Sequence, residues 1–251
     1  AVISMAKKAE RLGVDIRMNT KVTPEMIEEI KPHTVMNAIG AESIIPPIPG
    51  VDKAFVKDSH DVLDGKAEAT GNVVVIGGGM VGMETAEYLA EKGAKVSVLE
   101  MLPDICSDMG TTRKICMGEE IQKSGIIPVT SIKVTEIGDN VVIGEKDGEK
   151  VEFPCDTAVL AIGAKKRDGS ALAETCYKNG IGYFEIGDAA MARRAINATR
   201  EAMDAALTFD REDVHRDVSK PKKLVFITGA SGMMGGQTLK QLLARPNRFK
   251  V

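Results

Sequence analysis

Five short runs along the chain are mostly apolar, and each stops at a glycine. Residues 34–39 end at Gly40, 73–76 at Gly77, 157–162 at Gly163, 183–186 at Gly187, and 224–227 at Thr228-Gly229. Runs of this length without alternation predict strands buried on both faces, as in a parallel sheet. Between them the apolar spacing becomes helical. Residues 6–11, 80–92, 112–123 and 194–207 predict helices, and Gly13, Gly93 and Gly125 close the first three. Thr23 and Pro24 suit the cap and first position of another short helix. Residues 14–18 predict a strand. Ile45-Pro46-Pro47-Ile48-Pro49-Gly50 excludes regular structure and reads as a stiff connector. Residues 132–137, 140–145 and 150–153 read as short strands, with a hairpin signal at Asp147-Gly148, so an antiparallel meander is expected inside an α/β chain. Residues 210–223 are polar and read as a linker. A strand at 224–227 and a helix reaching 243 follow.

Composition narrows the class. The apolar fraction of 43% and charged fraction of 27% over 251 residues are those of globular chains, and the length suits two compact units. No apolar run approaches the roughly 18 residues of a spanning helix, so no membrane partner is expected. A net charge of -3 argues against a nucleic-acid surface. Cys106, Cys116, Cys155 and Cys176 form no C-x-x-C pair, which speaks against a zinc ribbon, an iron–sulfur cluster or a redox disulfide within this stretch. Scattered thiols suit a reducing cytoplasm, and all four read as buried small hydrophobes. His33, His60 and His215 read as solvated surface. The chain opens inside what reads as an amphipathic helix and stops where a strand could begin, so a segment of a longer polypeptide is expected.

The strongest chemical signal is Gly77-Gly78-Gly79-Met80-Val81-Gly82. It places G-x-G-x-x-G between a strand and a helix. The first glycine permits the tight turn, the second lets a pyrophosphate approach the backbone, and the third lets the helix pack closely. The helix N-terminus then offers free N–H groups to the phosphates. Glu100, with Met101 beside it, ends the next strand 18 residues after Gly82. A carboxylate there can accept hydrogen bonds from the adenosine ribose and repel a 2′-phosphate, favouring NADH over NADPH. Glu84, read as lying on the helix's first turn, is either a helix-dipole carboxylate or a group near the nicotinamide. Ala38-Ile39-Gly40-Ala41 and Ala161-Ile162-Gly163-Ala164 repeat one tetrapeptide at two strand ends. Gly187-Asp188 ends another strand, where the Asp can cap a helix or accept hydrogen bonds from a polyol.

Taken in order, AIGA at 38–41, PPIPGVD at 46–52, VVVIGGGMVGMETAEYLAEKGAKVSVLE at 73–100, DTAVLAIGA at 156–164 and FEIGDA at 184–189 resemble flavoprotein reductases with two dinucleotide-binding domains. In those proteins the NAD(H) domain is inserted into the FAD domain. The nearer likeness is to the C-terminal part of 2-enoate and 2,4-dienoyl-CoA reductases, relatives of old yellow enzyme. The resemblance implies an α/β, two-dinucleotide-binding-domain fold. Residues 1–70 and 165–208 would be FAD-domain parts and 71–164 the NAD(H) domain. It implies Gly77, Gly79, Gly82 and Glu100 on NADH and Gly163, with Ala161 and Ile162, near the nicotinamide nucleotide. Gly40, with Ala38, would lie beside FAD, Gly187-Asp188 on the ribityl chain, and the backbone of Ile196 near the flavin ring. The first glycine motif of the FAD half should precede residue 1, so that half is incomplete. The implied partner is an N-terminal barrel carrying FMN and an iron–sulfur cluster; self-association stays open. A non-catalytic dinucleotide-binding or assembly module is the competing reading.

The tail, Val225-Phe226-Ile227-Thr228-Gly229-Ala230-Ser231-Gly232-Met233-Met234-Gly235, contains T-G-x-x-G-x-x-G. It resembles the opening of an NAD-dependent epimerase/dehydratase. A truncated Rossmann start at 224–251, after a linker at 209–223, is the expectation; a coincidental glycine turn is the alternative.

Overall fold

The computed structural model describes residues 2–107, 109–208, 223–229, 238–239, 242–243 and 249–250. The chain begins with helices α1 (Val2–Arg11) and α2 (Pro24–Ile30), then strands β1 (Thr34–Asn37), β2 (Ala41–Ser43) and β3 (Val56–Asp58). Helix α3 (Ser59–Leu63), strand β4 (Asn72–Ile76), helix α4 (Met80–Glu91), strand β5 (Lys95–Leu99) and helix α5 (Thr111–Ser124) follow. Next come strands β6 (Ile127–Val129), β7 (Lys133–Ile137), β8 (Val141–Lys146), β9 (Glu149–Pro154), β10 (Thr157–Leu160) and β11 (Ala164–Lys166). Helix α6 (Ser170–Lys178), strand β12 (Gly182–Glu185), a 3-10 turn at Gly187–Ala189, helix α7 (Ala195–Thr208) and strands β13 (Lys223–Thr228) and β14 (Phe249–Lys250) complete the order. Strands β2 and β11 pair as a two-stranded ribbon. Two units result: Ala1–Glu42 with Lys165–Val251, and Ser43–Ala164.

The second unit is built on a parallel sheet in the order β3-β10-β4-β5-β6. Its central strand shows why an unbroken apolar run was needed. Successive side chains point to opposite faces. Val73 and Val75 pack with Met83, Ala86 and Leu89 of α4 and Met117 and Ile121 of α5. Val74 and Ile76 pack on the other side with Ile132, Ile137 and Val142. The meander β7-β8-β9 thus covers one face and helices cover the other.

This unit starts at Ser43, not at residue 71. Strand β3 pairs with β10 and extends the sheet at its edge. Val62 and Ala69 join one core, while Ile48, Val51 and Phe55 pack on the other. The proline-rich run is therefore part of the packing. Ile137 donates its N–H to Pro49 O at 2.8 Å, and a Cβ at Gly50 would lie 2.0 Å from Ile137 O.

The first unit carries a second parallel sheet, β12-β1-β13-β14. Val35 faces Ile27, Leu172 and Cys176. Met36 faces Ile186, Val225, Leu242 and the alanines Ala202, Ala205 and Ala206 of α7. Two expectations are corrected here. Residues 14–18 form no strand: 14–17 belong to no ladder among the described residues and Met18 opens a turn, and a strand needs a ladder. Strand β13, expected to open a separate domain, lies in this sheet beside β1. Lys223, expected to end the linker, already belongs to β13, while residues 209–222, Gly232 and Gly235 lie outside the described residues.

Between α4 and α5, burial comes first in raising the Glu87 carboxyl above the usual range, followed by its hydrogen bond with Glu120 and the charges of Glu120, Glu84 and Glu91. Glu87 Oε1 is buried without a hydrogen-bond partner. A carboxyl whose value the fold raises contributes stability that is complete below the unfolded value near 4.3 and is lost as pH rises through the folded value. Glu87→Gln is therefore expected to raise the thermal midpoint at pH 8, with the difference from the parent closing near pH 4. An unchanged difference across that range would contradict the assignment.

Candidate functional site

Strand β4 hands the chain to α4 through a turn that only glycine fits. Gly77 has φ +109°, and a Cβ there would lie 2.4 Å from Ala161 O, just past the end of β10 beside it. Its N–H donates to Leu99 O at 2.8 Å, and Ala161 N–H donates to Ile76 O at 2.8 Å. The two neighbouring strand ends thus hold the turn from either side. A Cβ at Gly82 would meet Gly77 O at 1.9 Å, so the first turn of α4 lies directly on the hinge. Met80 and Val81 are half-buried between them.

Gly79 differs. A Cβ there would meet nothing within 4 Å. It is the N-cap of α4 and supplies no side-chain cap. The first N–H groups of a helix have no partner within the helix, and the helix dipole adds partial positive charge there. Open space in front of uncapped donors suits a diphosphate.

The Glu100 carboxylate lies across the same loop. Oε2 accepts the Gly78 N–H at 2.7 Å and Oε1 accepts the Leu102 N–H at 2.7 Å. A Cβ at Gly78 would lie 2.9 Å from Glu100 Cβ, so the glycine makes room for this arrangement. Each oxygen keeps a further lone pair for a hydroxyl donor. Met101, by contrast, is 64% exposed. Glu84 lies just beyond the first turn of α4, which contains no acidic residue, so the helix-dipole reading does not hold. Its charge acts instead on Glu87. Ile162 is half-buried and Gly163 exposed at the end of β10, where Gly163 O accepts the Ile44 N–H at 3.0 Å.

In the first unit, Ala38 donates its N–H to Thr228 O at 3.1 Å, and a Cβ at Gly40 would meet nothing within 4 Å. Gly187 N–H donates to Glu201 Oε2 at 2.8 Å, and Glu201 pairs with Arg193. Asp188 sits in the 3-10 turn and accepts the Arg193 N–H at 3.2 Å. It does not cap α7, which starts at Ala195. Ile196, on the first turn of α7, is 56% exposed. Glu201 carried no sequence signal, because 14 residues separate it from the glycine it braces. Asn37 had one: it is a polar residue within an apolar run. Its amide donates to Tyr183 Oη at 2.8 Å, and burial pushes that phenol up to about 12.

Three of the cysteines are buried, and Cys116, expected inside, is exposed on α5. Burial raises the Cys176 thiol, and burial with the Asp156 charge pushes Cys155 up to about 11. Neither is a thiolate at neutral pH.

A family model described as pyridine nucleotide-disulphide oxidoreductase matches residues 19–189. The chain belongs to this family. Its α/β fold is that of the FAD- and NAD(H)-using flavoprotein oxidoreductases. A bilirubin reductase of Mediterraneibacter gnavus is 41% identical over 161 residues, covering 64% of this chain and 25% of its own length. An NADH oxidase of Thermoanaerobacter brockii is 39% identical over 201 residues, covering 78% of this chain and 31% of its own. A structure of 2-naphthoyl-CoA reductase with 2-naphthoyl-CoA superposes with a TM-score of 0.70 at 30% identity, over 77% of this chain and 29% of that one. The chain thus spans about a quarter to a third of the curated relatives it matches. No helix among the described residues is long and apolar enough to cross a membrane.

Proposed function

We propose that the chain is the dinucleotide-handling part of an NADH-dependent flavoprotein reductase. The supporting observation is the open, uncapped start of α4 at Gly79, with the Glu100 carboxylate 2.7 Å from the Gly78 N–H. The N–H groups following Gly79 would take the NADH diphosphate. Glu100 would accept from the adenosine ribose and repel a 2′-phosphate. Ala161, Ile162 and Gly163 would border the nicotinamide end. In the other unit, Ala38 and Gly40 would lie beside FAD, Gly187 and Asp188 at its ribityl chain, and the backbone near Ile196 at its ring. Glu201 and Arg193 would hold Gly187 and the following turn in place.

Bound FAD supplies the ability to take a hydride and release electrons singly or in pairs. This chain binds and orients the two nucleotides, and no side chain is needed as acid or base. The acceptor is an enoate- or dienoyl-type substrate reached through a further centre outside these residues, on an FMN- and iron–sulfur-bearing barrel as partner. The much greater length of the relatives favours that arrangement.

Anaerobic addition of NADH to the purified chain tests the reading. A flavin spectrum near 450 nm that bleaches with NADH faster than with NADPH is expected. A colourless chain that still binds NADH would point to the non-catalytic module instead.

A further inference from the structure

Asp58, Ser59 and His60 stand at the same end of the second unit's sheet as the glycine hinge. Strand β10 pairs in parallel with β4 and with β3, and Leu160 lies opposite Ile76 on one side and Asp58 on the other. The residues that follow these three are Ala161, Gly77 and Ser59. The order β3-β10-β4-β5 sets the direction in which a long ligand can run. Glu100 follows β5, and the open start of α4 follows β4. A dinucleotide with its adenosine at Glu100 and its diphosphate in front of α4 would extend its other half over β10 toward β3. That strand lies two positions on from β4, about 10 Å at the usual strand spacing.

A small polar cluster holds His60 at this place. Asp58 caps α3, and its Oδ1 accepts the His60 backbone N–H at 2.8 Å. The ring is held separately: Nδ1 lies 3.2 Å from Ser43 Oγ and 3.4 Å from Asp58 Oδ1. Ser43 is anchored in turn, because the next residue, Ile44, donates its N–H to Gly163 O at 3.0 Å. The ring is thus tied to the strand end that the function proposed above gives to the nicotinamide. Both ring contacts fall on Nδ1. A carboxylate only accepts hydrogen bonds and a hydroxyl can accept one, so a proton on Nδ1 suits both oxygens. In the neutral ring the lone pair then lies at Nε2. The His60 side chain is 56% exposed, so a ligand can reach it.

We propose that His60 reads the carboxamide of NADH, with Nε2 accepting from the amide N–H at the nicotinamide end. This deepens the function proposed above and rests on it. The cluster gives the chain a means of distinguishing an amide from other substituents on the pyridine ring.

Calorimetric titration of the full chain with three ligands tests this. They are NADH, ADP-ribose, which has no nicotinamide, and reduced acetylpyridine adenine dinucleotide, which carries an acetyl group where NADH carries the carboxamide. His60→Ala is expected to weaken NADH by about three- to tenfold, the worth of one neutral hydrogen bond, and to leave ADP-ribose unchanged. The parent's preference for NADH over the acetylpyridine analogue should be lost in the variant. The Asp58 cap is made to the backbone of residue 60, so the substitution leaves it in place. Equal weakening of NADH and the analogue would overturn the carboxamide assignment. Loss of ADP-ribose as well would show that His60 serves the fold instead. A parent that binds both NADH and ADP-ribose, with His60→Ala unchanged toward NADH, would overturn the role of His60 alone. A parent that binds neither would remove the nucleotide reading and this proposal together.

Discussion

Gly79→Ala is expected to leave the fold intact and cost the chain at least tenfold in NADH affinity. A Cβ at this position meets no protein atom within 4 Å, and its backbone, φ -72° and ψ -175°, suits any residue. Replacing glycine at a compatible conformation holds or raises stability by up to about 1 kcal/mol, because the unfolded chain has less freedom to lose. The space the methyl fills is the space a diphosphate needs in front of the α4 N–H groups. Gly82→Ala supplies the contrast. Its Cβ would lie 1.9 Å from Gly77 O, a backbone atom that cannot swing aside. Overpacking of this kind costs about 1–3 kcal/mol or more, so the thermal midpoint itself should fall. Calorimetric titration with NADH and a melting curve on each variant separate the two effects. Unchanged affinity in Gly79→Ala would remove the diphosphate from this loop.

Glu100→Ala is expected to weaken NADH by roughly ten- to a hundredfold, from the loss of charge-assisted hydrogen bonds worth about 1.5–3 kcal/mol. Its affinity for NADPH should fall less, because the charge that repels a 2′-phosphate goes with the carboxylate. The substitution also strips the acceptors from the Gly78 and Leu102 N–H groups. Glu100→Gln is the needed companion: it keeps the shape and one carbonyl acceptor and removes the charge. The ratio of NADH to NADPH affinity should narrow in both variants. A ratio that stays at the parent value in Glu100→Gln would mean that this carboxylate braces the loop without selecting the nucleotide.

The stretch from β4 to β5 was readable from residues alone. Its signals are local: a run of β-branched residues, three glycines at fixed spacing, a helical period and an acidic residue at the end of the next strand. The meander was readable for the same reason, since alternation and Asp147-Gly148 act within a few residues. Residues 43–70 were misplaced because their membership rests on β3 reaching β10 about a hundred positions away. The strand expected at 14–18 forms no ladder among the described residues, which no alternation of side chains reveals.

By itself, the sequence determined that this protein is an α/β chain with a glycine turn between strand and helix at residues 77–82 and a carboxylate at position 100, at the end of the next strand. Only the tertiary structure decided which apolar strands share a sheet, that Glu201 braces Gly187, and that Thr228 meets Asn37 across 191 residues. The physical reason is that an apolar strand buried on both faces carries the same pattern in either sheet. Its neighbours are chosen by packing and by buried polar partners, and those are properties of the assembled core.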